Sequence, residues 1–112
     1  MKFTINGNEY EGAKFDFNTY CAFEEMNVDV SKIAEKPILA IRAYLAISTG
    51  MSLAAAGNEI ESHVVNGGDL TGIMDALVKE MNNSDFFTAL TGRKKSETRG
   101  RISRKSDPNT EV

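Results

Sequence analysis

A chain of 112 residues with 41% hydrophobic and 26% charged side chains has the make-up of one globular domain with a modest core. Its net charge of −3 divides unevenly: positions 1–92 hold 13 acidic against 6 basic residues, a net of −7, and positions 93–112 hold 7 basic against 3 acidic, a net of +4. A single cysteine excludes an intramolecular disulfide, the polar opening Met1-Lys2-Phe3-Thr4-Ile5-Asn6 is unlike a secretory signal, and the longest apolar run, 37–47, is interrupted by Arg42, so a cytoplasmic protein without a membrane helix is expected.

The first 17 residues alternate. Phe3 and Ile5 share one face, and Asn6-Gly7 supplies the two left-handed residues of a type I′ turn. Tyr10, between Glu9 and Glu11, resumes the pattern; Gly12 marks a bulge, and Phe15 and Phe17 continue the alternation around Asp16. This predicts a hairpin of residues 2–6 and 8–16. A lone hairpin is marginal in water, so Phe3, Ile5, Phe15 and Phe17 must be covered by helices.

Asn18 or Thr19 can cap a first helix over 19–26, with Phe17, Tyr20, Cys21 and Phe23 on its buried side, Glu24 and Glu25 outside, and Asn27 at its end. Val28, Val30 and Ile33 form an irregular or short helical connector. Pro37 opens a second helix at the position where its missing amide costs nothing. Ile38, Leu39, Ile41, Tyr44, Leu45 and Ile47 surround this helix on most sides, which marks it as central, and Gly50 closes it.

Ser52 caps a third helix with a stripe of Leu53, Ala56, Ile60 and Val64, ended by Gly67-Gly68. Asp69 caps a fourth, in which Leu70, Ile73, Met74, Leu77, Val78 and Met81 recur at helical spacing until Asn82-Asn83. Ser84 caps a last short helix carrying Phe86, Phe87 and Leu90, ended by Gly92. From Arg93 on, only Ile102 and Val112 are aliphatic, which predicts a disordered basic tail. The fold class expected is therefore α+β: a globular domain over 1–92, with its hairpin at 2–16 packed on a bundle of four to five helices at 19–91, followed by a flexible tail over 93–112.

No catalytic constellation is present in this pattern, and an enzyme is not expected. His63 is the only histidine, lies beside the Ile60/Val64 stripe, and reads as a boundary residue. One cysteine and one histidine do not make a zinc site, and Glu59 and Glu61 diverge on a helix, so no metal or other cofactor is expected. Gly67-Gly68-Asp69-Leu70-Thr71-Gly72 lacks both the dinucleotide spacing and the Lys-Ser/Thr of a phosphate loop, and reads as an interhelical turn. The tail's Arg93, Lys94, Lys95, Arg99, Arg101, Arg104 and Lys105 can neutralise phosphates, but they lack interleaved aromatics and the body is acidic. A partner-contacting or solubilising arm is the first reading and a nucleic-acid arm of a small regulatory protein the alternative. Adjacent Phe86 and Phe87 cannot easily face the same way: both pack in the core, or one anchors a partner helix together with Leu90, Arg93, Lys94 and Lys95.

Three segments carry a family likeness. Phe3-Thr4-Ile5-Asn6-Gly7-Asn8-Glu9-Tyr10, then Phe15-Asp16-Phe17-Asn18, then Glu24-Glu25-Met26-Asn27-Val28-Asp29, make residues 1–90 resemble the tail assembly chaperones of long-tailed bacteriophages, closest to those of phages and prophages of Gram-positive bacteria. That family opens with a short hairpin, follows with a Phe-Asp-Phe-like segment and a Leu-Glu-Glu-x-Gly helix, and ends as helices with a polar tail. Here Phe23 stands where Leu is common and Asn27 where Gly is common. The resemblance implies a protein of the host cytoplasm that binds the long helical tape measure protein, with the tail tube protein as a second candidate partner. It keeps the tape measure protein soluble until the tube polymerises, and it is absent from the finished virion. It further implies that homo-oligomers can form. In many relatives a ribosomal frameshift yields a longer product, and Lys94-Lys95 is compatible with a slippery site.

Overall fold

The computed structural model describes residues 1–91. The fold is α+β: a two-stranded antiparallel hairpin followed by five α-helices and one short 3₁₀ turn. Residues 92–112, including Gly92 and the expected tail, lie outside the described residues.

Strand β1 (Lys2–Ile5) pairs with β2 (Asn8–Glu11), Phe3 opposite Tyr10 and Ile5 opposite Asn8. The turn is the one Asn-Gly predicts, with φ of 54° at Asn6 and 82° at Gly7. The second strand is shorter than the expected 8–16. It ends at Glu11; the Gly12 amide still donates to the Met1 carbonyl (2.8 Å), after which the chain turns onto the helices. A Cβ at Gly12 would lie 2.8 Å from the Met1 oxygen and collide with the Tyr44 hydroxyl, so the crossing requires glycine. The Ala13 amide then donates to Ser48 Oγ (2.9 Å), and Tyr44 Oη donates to the Ala13 carbonyl (2.8 Å).

Helix α1 (Phe17–Glu25) begins two residues earlier than expected. Its cap is Asp16, whose Oδ1 accepts from the Thr19 amide at 2.9 Å, rather than Asn18 or Thr19. The shift reverses the expectation for Phe17: at the first helical position it is 61% exposed, while Phe15 and Phe23 are fully buried. The helix ends where expected. Asn27 is left-handed (φ 63°), its amide donates to the Glu24 carbonyl and that of Val28 to the Phe23 carbonyl, the reciprocal pair of a Schellman terminus. The 3₁₀ turn Val30–Lys32, capped by Asp29, is the expected connector.

Helix α2 (Pro37–Thr49) carries proline at its start and left-handed Gly50 at its end, and it packs on α1, α3, α4 and β2. Ala40, Ile41, Ala43, Tyr44, Leu45 and Ala46 are buried. Ile38 and Leu39, expected to complete an all-round apolar cylinder, are exposed, since no described element covers the first turn on their side. Tyr44 stacks on Phe23 (6° between planes, centroids 6.4 Å apart) and leans on Phe3 (6.0 Å). Burial holds its hydroxyl pKa above the ordinary tyrosine range, so it remains a donor.

Helix α3 (Leu53–Val65) is capped by Ser52, as expected, through the Ala55 amide (3.0 Å). Of its expected stripe only Ala56 is fully buried; Leu53 and Ile60 are half-buried and Val64 is exposed, because α3 packs mainly on α2 and the hairpin among the described residues. Helix α4 (Thr71–Asn82) buries Ile73, Ala76 and Leu77 against β1 and α2. Leu70 stands at its cap position, while Asp69 Oδ1 accepts from the Thr71 amide (3.1 Å) one residue outside the expected place. Val78, expected in the buried stripe, is exposed on the flank of α4. Helix α5 (Asp85–Thr91) follows after a two-residue break and lies against α4.

Candidate functional site: an aromatic surface between α1 and α5

The last helix is held at a single serine. Ser84 Oγ accepts from the Phe87 amide (2.9 Å), capping α5 as its sequence predicts, and donates to the Phe15 carbonyl. One hydroxyl therefore ties α5 to the segment that links hairpin and α1. That segment is itself fixed: Thr19 Oγ1 donates to the Lys14 carbonyl (2.7 Å), and Phe15 points inward onto Phe23 (centroids 5.6 Å).

This anchoring divides the two neighbouring phenylalanines. Phe87 turns to the core and meets buried Phe15 edge-to-face at 5.1 Å. Phe86 turns sideways, edge-to-face on Phe17 at 5.6 Å and on Tyr20 at 6.1 Å. Edge-to-face pairs contribute about 0.5–1.5 kcal/mol beyond area burial, so these rings add to the attachment that Ser84 and α4 give α5. Phe17 and Leu90 remain largely in solvent, at 61% and 49% exposure. Phe86 and Leu90 lie one turn apart on α5, so Phe17, Tyr20, Phe86 and Leu90 compose one apolar surface across two helices.

Beside it opens a cleft of about 430 Å³ lined by Lys14, Phe15, Asp16, Glu80, Ser84, Asp85 and neighbouring residues. Its charged lining is Asp16, Glu80 and Asp85 against Lys14. Glu80 accepts from the Met1 ammonium at 2.6 Å, and Glu11 accepts from the same group at 3.1 Å. The bond to Glu80, followed by that to Glu11, raises the ammonium pKa above its ordinary 8.0.

Of the residues expected to bind a partner, Phe86 and Leu90 stand on this surface, Phe87 is spent on the core, and Arg93, Lys94 and Lys95 lie outside the described residues. Phe17 and Tyr20 complete the surface and were not among the expected residues; reading Asp16 as the cap would have found Phe17. His63 lies elsewhere, both ring nitrogens occupied by backbone groups. Among the described residues no three His, Cys, Asp or Glu side chains converge as a metal would need, and no single helix is long and apolar enough to cross a membrane. No protein-family model, no curated protein and no solved structure matches the chain.

Proposed function

We propose that this chain is a non-catalytic protein-binding module, a tail assembly chaperone that takes an amphipathic helix of a tape measure protein on the Phe17/Tyr20/Phe86/Leu90 surface. The observation that carries the reading is the exposure of Phe17 against a half-buried Phe86. Two helices here leave a continuous aromatic and aliphatic strip uncovered beside an acidic cleft. An amphipathic helix presents apolar anchors at i, i+3, i+4 and i+7, and a strip of this kind receives them, with rim charges selecting basic residues on the helix flank. The left-handed backbone at Asn27 supports the family resemblance, since glycine and asparagine are the residues that tolerate it. On this reading the protein acts in the host cytoplasm, holds its client until the tail tube forms, and leaves before the virion is complete. The basic residues that a nucleic-acid role would use all follow residue 92, whereas the cleft beside the strip carries Asp16, Asp85 and the Met1-paired Glu80 against one base, Lys14.

Co-expression with a tape measure protein from the same tail gene cluster tests the reading. The full chain is expected to keep that client soluble and co-purify with it. The double variant Phe17→Ser/Phe86→Ser, still helical by circular dichroism, is expected to lose the client. Retention of the client by the folded double variant, or a coding gene remote from any tail gene cluster, overturns the proposal.

A further inference from the structure

The single histidine joins three segments that are distant in sequence. On the last turn of α3, His63 Nδ1 accepts from the backbone amide of Asn6, in the hairpin turn, at 2.8 Å. Its Nε2 lies 2.8 Å from the Asp69 carbonyl, in the loop to α4. A carbonyl only accepts and an amide only donates, so these two contacts dictate a neutral ring with its proton on Nε2. Gly68 lies flat against that ring: a Cβ there would overlap Cε1 and Nε2. The loop is led to this place by Gly67, left-handed at φ 96°, and by the Gly68 amide donating to the His63 carbonyl at 2.8 Å. The Asn6 side chain completes the joint, with Nδ2 donating to Glu59 Oε1 (3.2 Å) and Oδ1 accepting from Ser62 Oγ (3.3 Å).

We propose that His63 is an acid-sensitive latch: the neutral ring holds the hairpin tip on α3, and protonation at Nδ1 releases it. An imidazolium carries hydrogen on both nitrogens, so Nδ1 then faces the Asn6 amide donor to donor. The Nε2 bond to Asp69 survives, so the loop side stays and the hairpin side opens. Glu59 lies one turn earlier on α3, Asp69 belongs to the loop, and α2 brings Arg42 against α3 at Gly57. The turn residues Asn6, Gly7 and Asn8 carry no charge, and in α4 the first charged residue is Asp75. Histidine is the side chain that changes charge in this mild pH range, and the strand register behind the turn keeps β1 folded while its tip moves.

Nuclear magnetic resonance on the full chain decides it. At about pH 7.5 the ring is expected as the Nε2–H tautomer with the Asn6 amide protected from exchange; by about pH 5.5 that protection, corrected for intrinsic rate, is expected to fall about tenfold, the factor that one ordinary hydrogen bond supplies. Amides in the middle of α2 are expected to keep their protection. In His63→Gln the pH dependence at Asn6 is expected to vanish. An Nδ1–H tautomer at neutral pH, unchanged protection at Asn6 on acidification, or the same pH dependence in the folded glutamine variant overturns the latch. The wild-type readings suffice should that variant not fold.

Discussion

Two adjacent phenylalanines do different work because one hydroxyl sets the phase of α5. Phe87 meets the buried Phe15 ring, and Phe86 meets the exposed Phe17. Phe87→Ala is expected to destabilise the fold by about 2 kcal/mol, roughly half the loss at a fully buried phenylalanine, and Phe86→Ala by under about 1 kcal/mol. Urea denaturation of both variants checks the difference. Gly12 is the other single residue on which much depends. Gly12→Ala brings a methyl group against the Met1 carbonyl and the Tyr44 hydroxyl, and about 1–3 kcal/mol of destabilisation is expected in the same measurement. The Met1 ammonium shows its role through pH. Its pKa is raised by Glu80 and Glu11, so its contribution is complete below 8.0 and fades as pH rises through the higher folded value. The melting temperature is therefore expected to decline through that alkaline range. Amino-terminal acetylation is expected to remove this part of the decline, with a small overall effect because the pair is partly exposed.

Element by element, the strongest signals in the chain were local ones. The Asn-Gly turn, proline at the head of α2, serine caps on α3 and α5, and Gly50 and Gly67-Gly68 as stops each rest on one residue's own stereochemistry, and each stands where the sequence places it. What the sequence hides is where one periodicity yields to another. Phe15-Asp16-Phe17 alternates like a strand, yet Asp16 caps α1, so the two rings part: one enters the core and the other faces solvent. The same three residues held the clue to the aromatic surface, since a cap at Asp16 moves Phe17 outside. Which apolar helix faces stay uncovered is set by neighbours and not by spacing, and Ile38, Val64 and Val78 are exposed for that reason. Asp16→Ala is expected to cost about 1 kcal/mol through loss of the cap. Asn27→Ala is expected to cost a similar amount, about 1 kcal/mol, while Asn27→Gly costs almost nothing, because only a side chain intolerant of positive φ is penalised there. Thermal melts of the three variants separate capping from left-handed strain.

Over the whole molecule, α2 is the axis: α1, α3, α4 and β2 all rest on it, and Tyr44 at its centre reaches both the hairpin exit and the aromatic core. Beyond this frame the apolar strip makes little contribution to stability. Phe17→Ser/Leu90→Ser is expected to leave the unfolding free energy within about 1 kcal/mol of the parent while markedly lowering binding of a hydrophobic fluorescent dye. A large loss of stability with unchanged dye binding would mean that these side chains support the core instead. The placement of β1 on α4 also governs how the chain can be made. Phe3 and Ile5 leave the ribosome early, but Ile73 and Leu77, which close the core beside them, follow only when most of the described chain has been synthesised. At about 5–20 residues per second the nascent hairpin waits some seconds with its apolar side open, so productive folding sets in only once α4 has emerged.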